Sequence, residues 1–307
     1  MWSRTSSVPC ATERTVSEVA VLAEAQWSER ERRHTERVER VLGPHRVRAQ
    51  AGQTHPVWDF LFTYYSFKPR QLAQWHPGFG VALEGAAAEK FLRRTGYRRR
   101  GPAVTVDPDH LASRLDTVGF IAELLSATAA RPARLNCFGM HEWAMVYRAR
   151  EIRHRGVPLR LGPAGTDAVL ESMPLRCSHF DAYRFFTDAA VGRNAEALSR
   201  DAQVRHEQPG CVHANMDLYK WCYKLGPLVA SELLMDCLDL ALTARLLDMQ
   251  ASPYDLSEFG IAPIEVETAP GRTTYVRQQQ EVARRASELR SALREHCRQL
   301  LAAKAVR

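Results

Sequence analysis

The sequence predicts a mainly α fold: a single helical domain with a few short strands, in which long N- and C-terminal helices brace an apolar helical core. Three observations predict it. Apolar residues recur at three- and four-residue spacing near both ends of the chain. The stretch 228–249 is strongly apolar over about six turns. Candidate strands are only a few residues long, and neither an internal repeat nor a low-complexity linker divides the chain.

Taken in order, residues 1–12 read as a flexible tail and 13–307 as one α-rich domain. Residues 13–42 read as an amphipathic helix, with Val19, Leu22, Ala23, Trp27, Val38 and Leu42 in its apolar stripe and Gly43-Pro44 as its stop. Pro56 suits a first helical position before the aromatic run 57–67, and a short helix is expected over 70–75. Residues 105–107 predict a short strand. Asp107-Pro108 then starts a helix over 109–128, with Leu111, Leu115, Val118, Ile121 and Leu125 on one face. Further helices are expected over 140–153, over 166–171 after the turn Leu161-Gly-Pro-Ala-Gly165, from 209 onward, and over 228–249 beyond Gly226-Pro227. Residues 263–267 suggest a strand. From 273 a final long helix carries Ala286, Leu289, Leu293, Cys297 and Leu300 on one side.

With 307 residues, 45% apolar and 25% charged, the chain can bury a sizeable core. No apolar run has the length to cross a bilayer, and residues 1–15 lack the hydrophobic stretch of a secretory signal. Seven cysteines at irregular spacing, without a Cys-x-x-Cys, fit reduced thiols in a cytoplasmic protein and a role as small buried hydrophobes. The formal charge is +7, and the excess is clustered. Arg93, Arg94, Arg98, Arg99 and Arg100 surround Tyr97, while Arg148, Arg150, Arg153, Arg155 and Arg160 surround His154. Arginines beside an aromatic ring can hold phosphates and stack on a base, so DNA is the expected partner; a solvated Arg-rich surface is the alternative.

Chemistry concentrates in three segments: Asn136-Cys-Phe-Gly-Met-His-Glu-Trp143, Arg176-Cys-Ser-His-Phe-Asp-Ala-Tyr-Arg184 and a stretch from His206 to Trp221. Each mixes Cys, His and carboxylates with aromatics, side chains that are costly to bury unless paired or put to use. His141-Glu142 is not the zinc-protease pair, because position 145 is Met. Glu142 is either a general acid or base or the partner of a buried Arg. His179 and Asp181 share a side of an extended segment but diverge on a helix. His213 and Asp217, four apart, share a helix face. His179, Asp181, His213 and Asp217 could therefore form a two-His, carboxylate site for iron or another divalent metal, unless Asp217 simply pairs with Lys220. On the apolar helix Asp248 can pair with Arg245, and Asp236 can face the pocket.

Several segments resemble an actinobacterial-type family commonly labelled 3-methyladenine DNA glycosylase. They are His55-Pro-Val-Trp-Asp-Phe-Leu-Phe-Thr-Tyr-Tyr-Ser66, Trp75-His-Pro-Gly78, Cys137-Phe-Gly-Met-His-Glu-Trp-Ala-Met-Val-Tyr-Arg148, Arg176-Cys-Ser-His-Phe-Asp-Ala-Tyr-Arg-Phe-Phe186, Glu207-Gln-Pro-Gly-Cys211 and Met216-Asp-Leu-Tyr-Lys-Trp221. The resemblance runs from about Trp27 to Leu301. It implies a hydrolase that releases alkylated purine bases without a cofactor. In that reading Asp181, Glu142 or Asp217 stabilises the sugar cation or activates water. Trp58, Tyr64, Tyr65, Trp143 and Trp221 are the aromatics for a flipped base, with His141, His179 and Arg176 as further substrate contacts. Two other readings stand beside it: a non-haem iron type oxidoreductase at the His/Asp cluster, and a non-enzymatic nucleic-acid or ligand-binding protein.

Overall fold

The computed structural model describes residues 19–150 and 156–304. The expected tail, the first turns of the expected N-terminal helix, and His154, Arg153 and Arg155 of the second arginine cluster lie outside these residues. Two layers share one core. A four-stranded sheet of order β1-β2-β4-β3 comprises β1 (Ala20–Leu22), β2 (Val81–Leu83), β3 (Tyr97–Arg100) and β4 (Ala103–Val106). β1 pairs parallel to β2, and β4 runs antiparallel to both β2 and β3. The larger layer is helical, and one continuous set of buried residues runs from Trp27 to Leu300. The chain is thus mainly α, and among the described residues no helix is long and apolar enough to cross a membrane.

Ala20 to Leu22 are extended, correcting the helix expected there, because they complete the sheet beside β2. α1 (Glu24–Gln50) starts after them and runs straight through Gly43-Pro44, which does not stop it. Pro44 costs the helix one backbone donor. Contacts along its length hold it regardless: Trp27, His34, Val38 and Leu42 are buried, and Arg37 reaches Asp236 at 2.9 Å and Asp239 at 2.6 Å on another helix. Asp236 is therefore a half-exposed ion-pair partner and not a pocket residue. At the far end Arg48 bonds Asp59 at 2.5 Å.

Asp59 also accepts from His45 Nδ1 and from the His55 backbone, both at 2.8 Å. This turn leaves only α2 (Phe60–Thr63) helical within the expected run 57–67. Burial pushes the Asp59 carboxyl up, but the bonds from Arg48, His45 and His55 outweigh it and hold the group below its ordinary value. A depressed carboxyl stabilises the fold above its unfolded pKa and loses that contribution as pH falls through the folded value. Asp59→Asn is expected to cost about 1–3 kcal/mol at pH 6, with the gap to the parent chain narrowing below about pH 4. Urea midpoints at pH 6 and pH 3 measure this, and a gap that does not change with pH rules it out.

α3 (Pro69–Leu72) is shorter than the helix expected over 70–75. A 3-10 helix over Ala86–Arg93 leads to β3. That strand, which the helical reading missed, carries Arg98, Arg99 and Arg100 on the open edge of the sheet, where charge discourages a further strand from adding. Arg99 is bound to Glu89, and Arg98 lies 3.7 Å from Asp107. The expected strand at 105–107 is β4, and Asp107 accepts from Asp109 N at 2.9 Å to start α4 (Pro108–Ala112). The single helix expected over 109–128 is broken at residues 113–114, and α5 (Leu115–Ala129) follows.

α6 (Met140–Ala144) replaces the helix expected over 140–153. Arg148 ends that segment at φ 50°, its backbone N–H on Asp167 and its guanidinium on Glu171. α7 (Gly162–Ser172) takes in the Gly-Pro-Ala-Gly stretch expected as a turn, with Pro163 in its first turn where no donor is needed. Short helices α8 (Phe180–Tyr183), α9 (Asp188–Val191) and α10 (Gln203–His206) lead to α11 (Val212–Lys224) and α12 (Ser231–Gln250). The strand expected at 263–267 is absent. Ile264 N donates to Gln250 O and Val266 N to Ile264 O in a tight turn. α13 (Ala269–Lys304) packs against α5, α11 and α12 through Tyr275, Gln279, Val282, Ala286, Arg290, Leu293, Cys297 and Leu300, a helical stripe.

Candidate metal centre

α11 is buried on all sides from Val212 to Cys222, so its His213, Asn215, Asp217 and Lys220 must find partners inside the protein. Asn215 accepts from Arg290 of α13, while His213, Asp217 and Lys220 meet α6, α12, the start of α8 and the end of α10 in a continuous row of charged and imidazole groups. At one end Arg245, with 0% of its side chain exposed, donates to Glu142 Oε1 at 2.9 Å and to Asp248 Oδ2 at 3.0 Å. Its guanidinium lies 3.8 Å over the Phe60 ring. Asp248, equally buried, has His141 Nε2 at 2.6 Å and His213 Nε2 at 3.8 Å.

The His213 ring then stacks on His179, with centroids 5.4 Å apart. His179 Nε2 faces Asp217 Oδ2 at 3.1 Å and Glu207 Oε1 at 3.5 Å. Asp217 also accepts from Tyr65 Oη at 2.9 Å and from Lys220. Lys220 reaches on to Asp181 at 3.0 Å, and Asp181 meets Arg200 at 2.7 Å where the row comes to the surface.

The backbone that delivers α6 is unusual. Phe138 and Gly139 lie in succession at φ 46° and 68°, and Gly139 starts the helix that carries His141 and Glu142. A Cβ on Gly139 would sit 3.1 Å from the Ala251 Cβ. Gly139→Ala is therefore expected to cost about 1–2 kcal/mol from backbone strain, and more from crowding against α12. Thermal unfolding measures the loss, and an unchanged midpoint contradicts it.

Two groups of three have one donor atom from each residue within 4.8 Å of the others: His141, His213 and Asp248, and His179, Glu207 and Asp217. All six residues are buried. Two imidazoles with one carboxylate suit iron(II) or zinc, and the second, more oxygen-rich set suits harder divalent ions as well. Burial alone would lower His141 and His179, yet Asp248 and Asp217 hold both above the ordinary imidazole value. His213 is pushed down to about 3 by burial and by His141. It is therefore neutral, and among the described residues neither of its ring nitrogens has a hydrogen bond within 3.5 Å. Burial raises Asp217 and Asp248, but Lys220 and His179 at the first, and His141 at the second, outweigh it, so both carboxyls stay well below the usual range. Within the row, Glu142 Oε2, His179 Nδ1 and Arg245 Nε are buried with no hydrogen-bond partner among the described residues.

Comparison with family models, with curated proteins and with solved structures finds no match.

Of the residues expected from sequence, His141, Glu142, His179, Asp181, His213 and Asp217 all join the row. The four-residue set expected for one metal is divided: His179 goes with Asp217, His213 goes with Asp248, and Asp181 is held by Lys220 and Arg200. His179 is extended before α8 while Asp181 lies in its first turn, so the two diverge. Both alternative pairings are present as well, Glu142 with Arg245 and Asp217 with Lys220.

The aromatics are dispersed. Trp143 is fully buried and donates to Ala251 O, Trp221 packs edge-on against Phe120, and Trp58 lies beside His55. Tyr64 stacks on Phe60, and the row is touched by Tyr65, which bonds Asp217, and by the Trp221 ring, 4.4 Å from Lys220 Nζ. Arg176 is exposed. Glu207 and Asp248 were not expected as ligands. The one signal for Asp248 was two opposite charges, Arg245 and Asp248, on one face of an otherwise apolar helix.

Proposed function

We propose that the protein is a metal-dependent enzyme of the non-haem iron type, with His141, His213 and Asp248 as one ligand set and His179, Glu207 and Asp217 as a second beside it. The observation that carries this reading is His213. It is a largely buried, neutral imidazole with no hydrogen bond to the described residues, with the His141 ring at right angles to it at 4.4 Å, the His179 ring stacked at 5.4 Å, and its Nε2 3.8 Å from Asp248 Oδ2. A neutral imidazole with an uncommitted nitrogen beside a carboxylate is a donor pair that a divalent cation takes. Three protein ligands leave coordination positions free for water or substrate, and the ion would supply Lewis-acid or redox chemistry there. Around it, Arg245 and Lys220 orient the carboxylates, and Tyr65 fixes the second oxygen of Asp217. The test is metal content after anaerobic reconstitution with Fe(II), Mn(II) or Zn(II) and desalting. One or two ions per chain are expected, and none retained by folded protein would sink the proposal.

Release of an alkylated base is the second reading, and Asp181 favours it. It is the acid at the surface end of the row, beside the exposed Arg184 and Arg200, where a DNA strand would arrive. Free base released from methylated DNA by the parent chain but not by Asp181→Asn would support it; no release by folded protein would end it.

A further inference from the structure

We infer that a cavity beside the row binds a small anion, a carboxylate or phosphate, through Arg134 and Arg176. As the substrate pocket of the proposed metal enzyme it rests on that reading; as an anion site it does not. The cavity measures about 320 Å³ and is lined by Arg134, Asn136, Arg176, Cys177, Ser178 and Glu196, together with Ala195. That volume lies at the small end of ligand pockets.

Its charge is unspent. Among the described residues neither the Arg134 nor the Arg176 guanidinium touches a carboxylate, whereas Arg148, Arg160, Arg184, Arg200 and Arg245 each do. The acid in the wall, Glu196, is engaged by His206 Nδ1 at 2.8 Å. Two free guanidinium groups over one hollow, with a side-chain amide and a hydroxyl beside them, match the oxygens of a carboxylate or phosphate.

The walls are also tied in place. Gln208 accepts from Arg134 N at 2.8 Å and donates back to Arg134 O at 3.2 Å. Asn194 does the same for Cys177, accepting from its N at 2.8 Å and donating to its O at 3.0 Å. Preformed walls reduce the ordering cost of binding. Both lead directly to the row. Residues 176–178 precede His179, and the Cys177 thiol lies 3.5 Å from His179 O; Asn136 precedes the segment that delivers His141. A hollow of about 320 Å³ fits a small molecule better than a polymer backbone.

Calorimetric titration with succinate and with inorganic phosphate, on metal-loaded and on chelator-treated protein, tests this. One anion should saturate at one per chain, and the tighter of the two identifies the headgroup. Arg134→Gln and Arg176→Gln should each weaken it about tenfold or more. The double variant should abolish it, while Arg100→Gln, at an exposed arginine on β3, leaves it unchanged. Both arginines are exposed, so folding should survive, and circular dichroism checks that. No binding to the parent chain, equal binding to the double variant, or binding of duplex DNA alone would overturn the inference. Anion binding that persists in protein unable to take a metal retains the pocket and removes the metal reading. Metal uptake without anion binding does the reverse.

Discussion

Arg245→Met is expected to destabilise the fold by about 3–5 kcal/mol, enough to unfold a chain of ordinary stability or bring it close to that point. The guanidinium is wholly buried and is the cation that both Glu142 and Asp248 face. Methionine fills similar space, so most of the loss comes from Glu142 left without its counter-charge and Asp248 left with His141 alone. Glu142 Oε2 already lacks a partner and has no reserve. Urea midpoints report the change, and a loss under about 1 kcal/mol would mean that the carboxylates find other neutralisation. The same variant also examines the metal reading. A divalent ion at His141, His213 and Asp248 would restore positive charge beside Asp248. Addition of the ion should therefore recover more stability in Arg245→Met than it adds to the parent chain.

The second large effect is on binding. His213→Ala should weaken metal affinity by at least about 100-fold, since losing a mere supporting residue around a metal already costs roughly 10–100-fold. Its cost to the metal-free fold should be much smaller, about 1–3 kcal/mol, because the ring has packing contacts but no hydrogen bond to lose. Replacing His141, which is bonded to Asp248 at 2.6 Å, should damage fold and binding together. Competition with a chromophoric chelator separates the two variants. If His213→Ala holds its ion as tightly as the parent chain, the first ligand set is wrong.

The helical layer was legible because long helices declare themselves by period. The stripe on α13 and the apolar run of α12 can be read from spacing alone. The sheet was not, because its strands are three or four residues long and β3 is three parts arginine, which suggested a basic surface. Its identity depends on pairing with β4, a non-local fact. Gly43-Pro44 misled for a related reason: local propensity argued for a stop, and contacts with α12 overrode it. At the site, composition located the right segments, and His141, His179, His213 and Asp217 were all in view. Partner choice was not, because one turn of helix decides whether a neighbour such as Asp181 faces the same group. Asp248 lies 107 residues from His141, and no spacing rule spans that distance.

That separation has a consequence for how the protein breathes. The row draws on α6, the start of α8, the end of α10, α11 and α12, so no single hairpin or helix pair can assemble it. Partial opening of any one element breaks the chain of contacts for all. Amide hydrogens across α11 and α12 should consequently exchange only when the whole molecule opens, as one cooperative unit, while α1 beyond Pro44 and the edge strand β3 open separately and often.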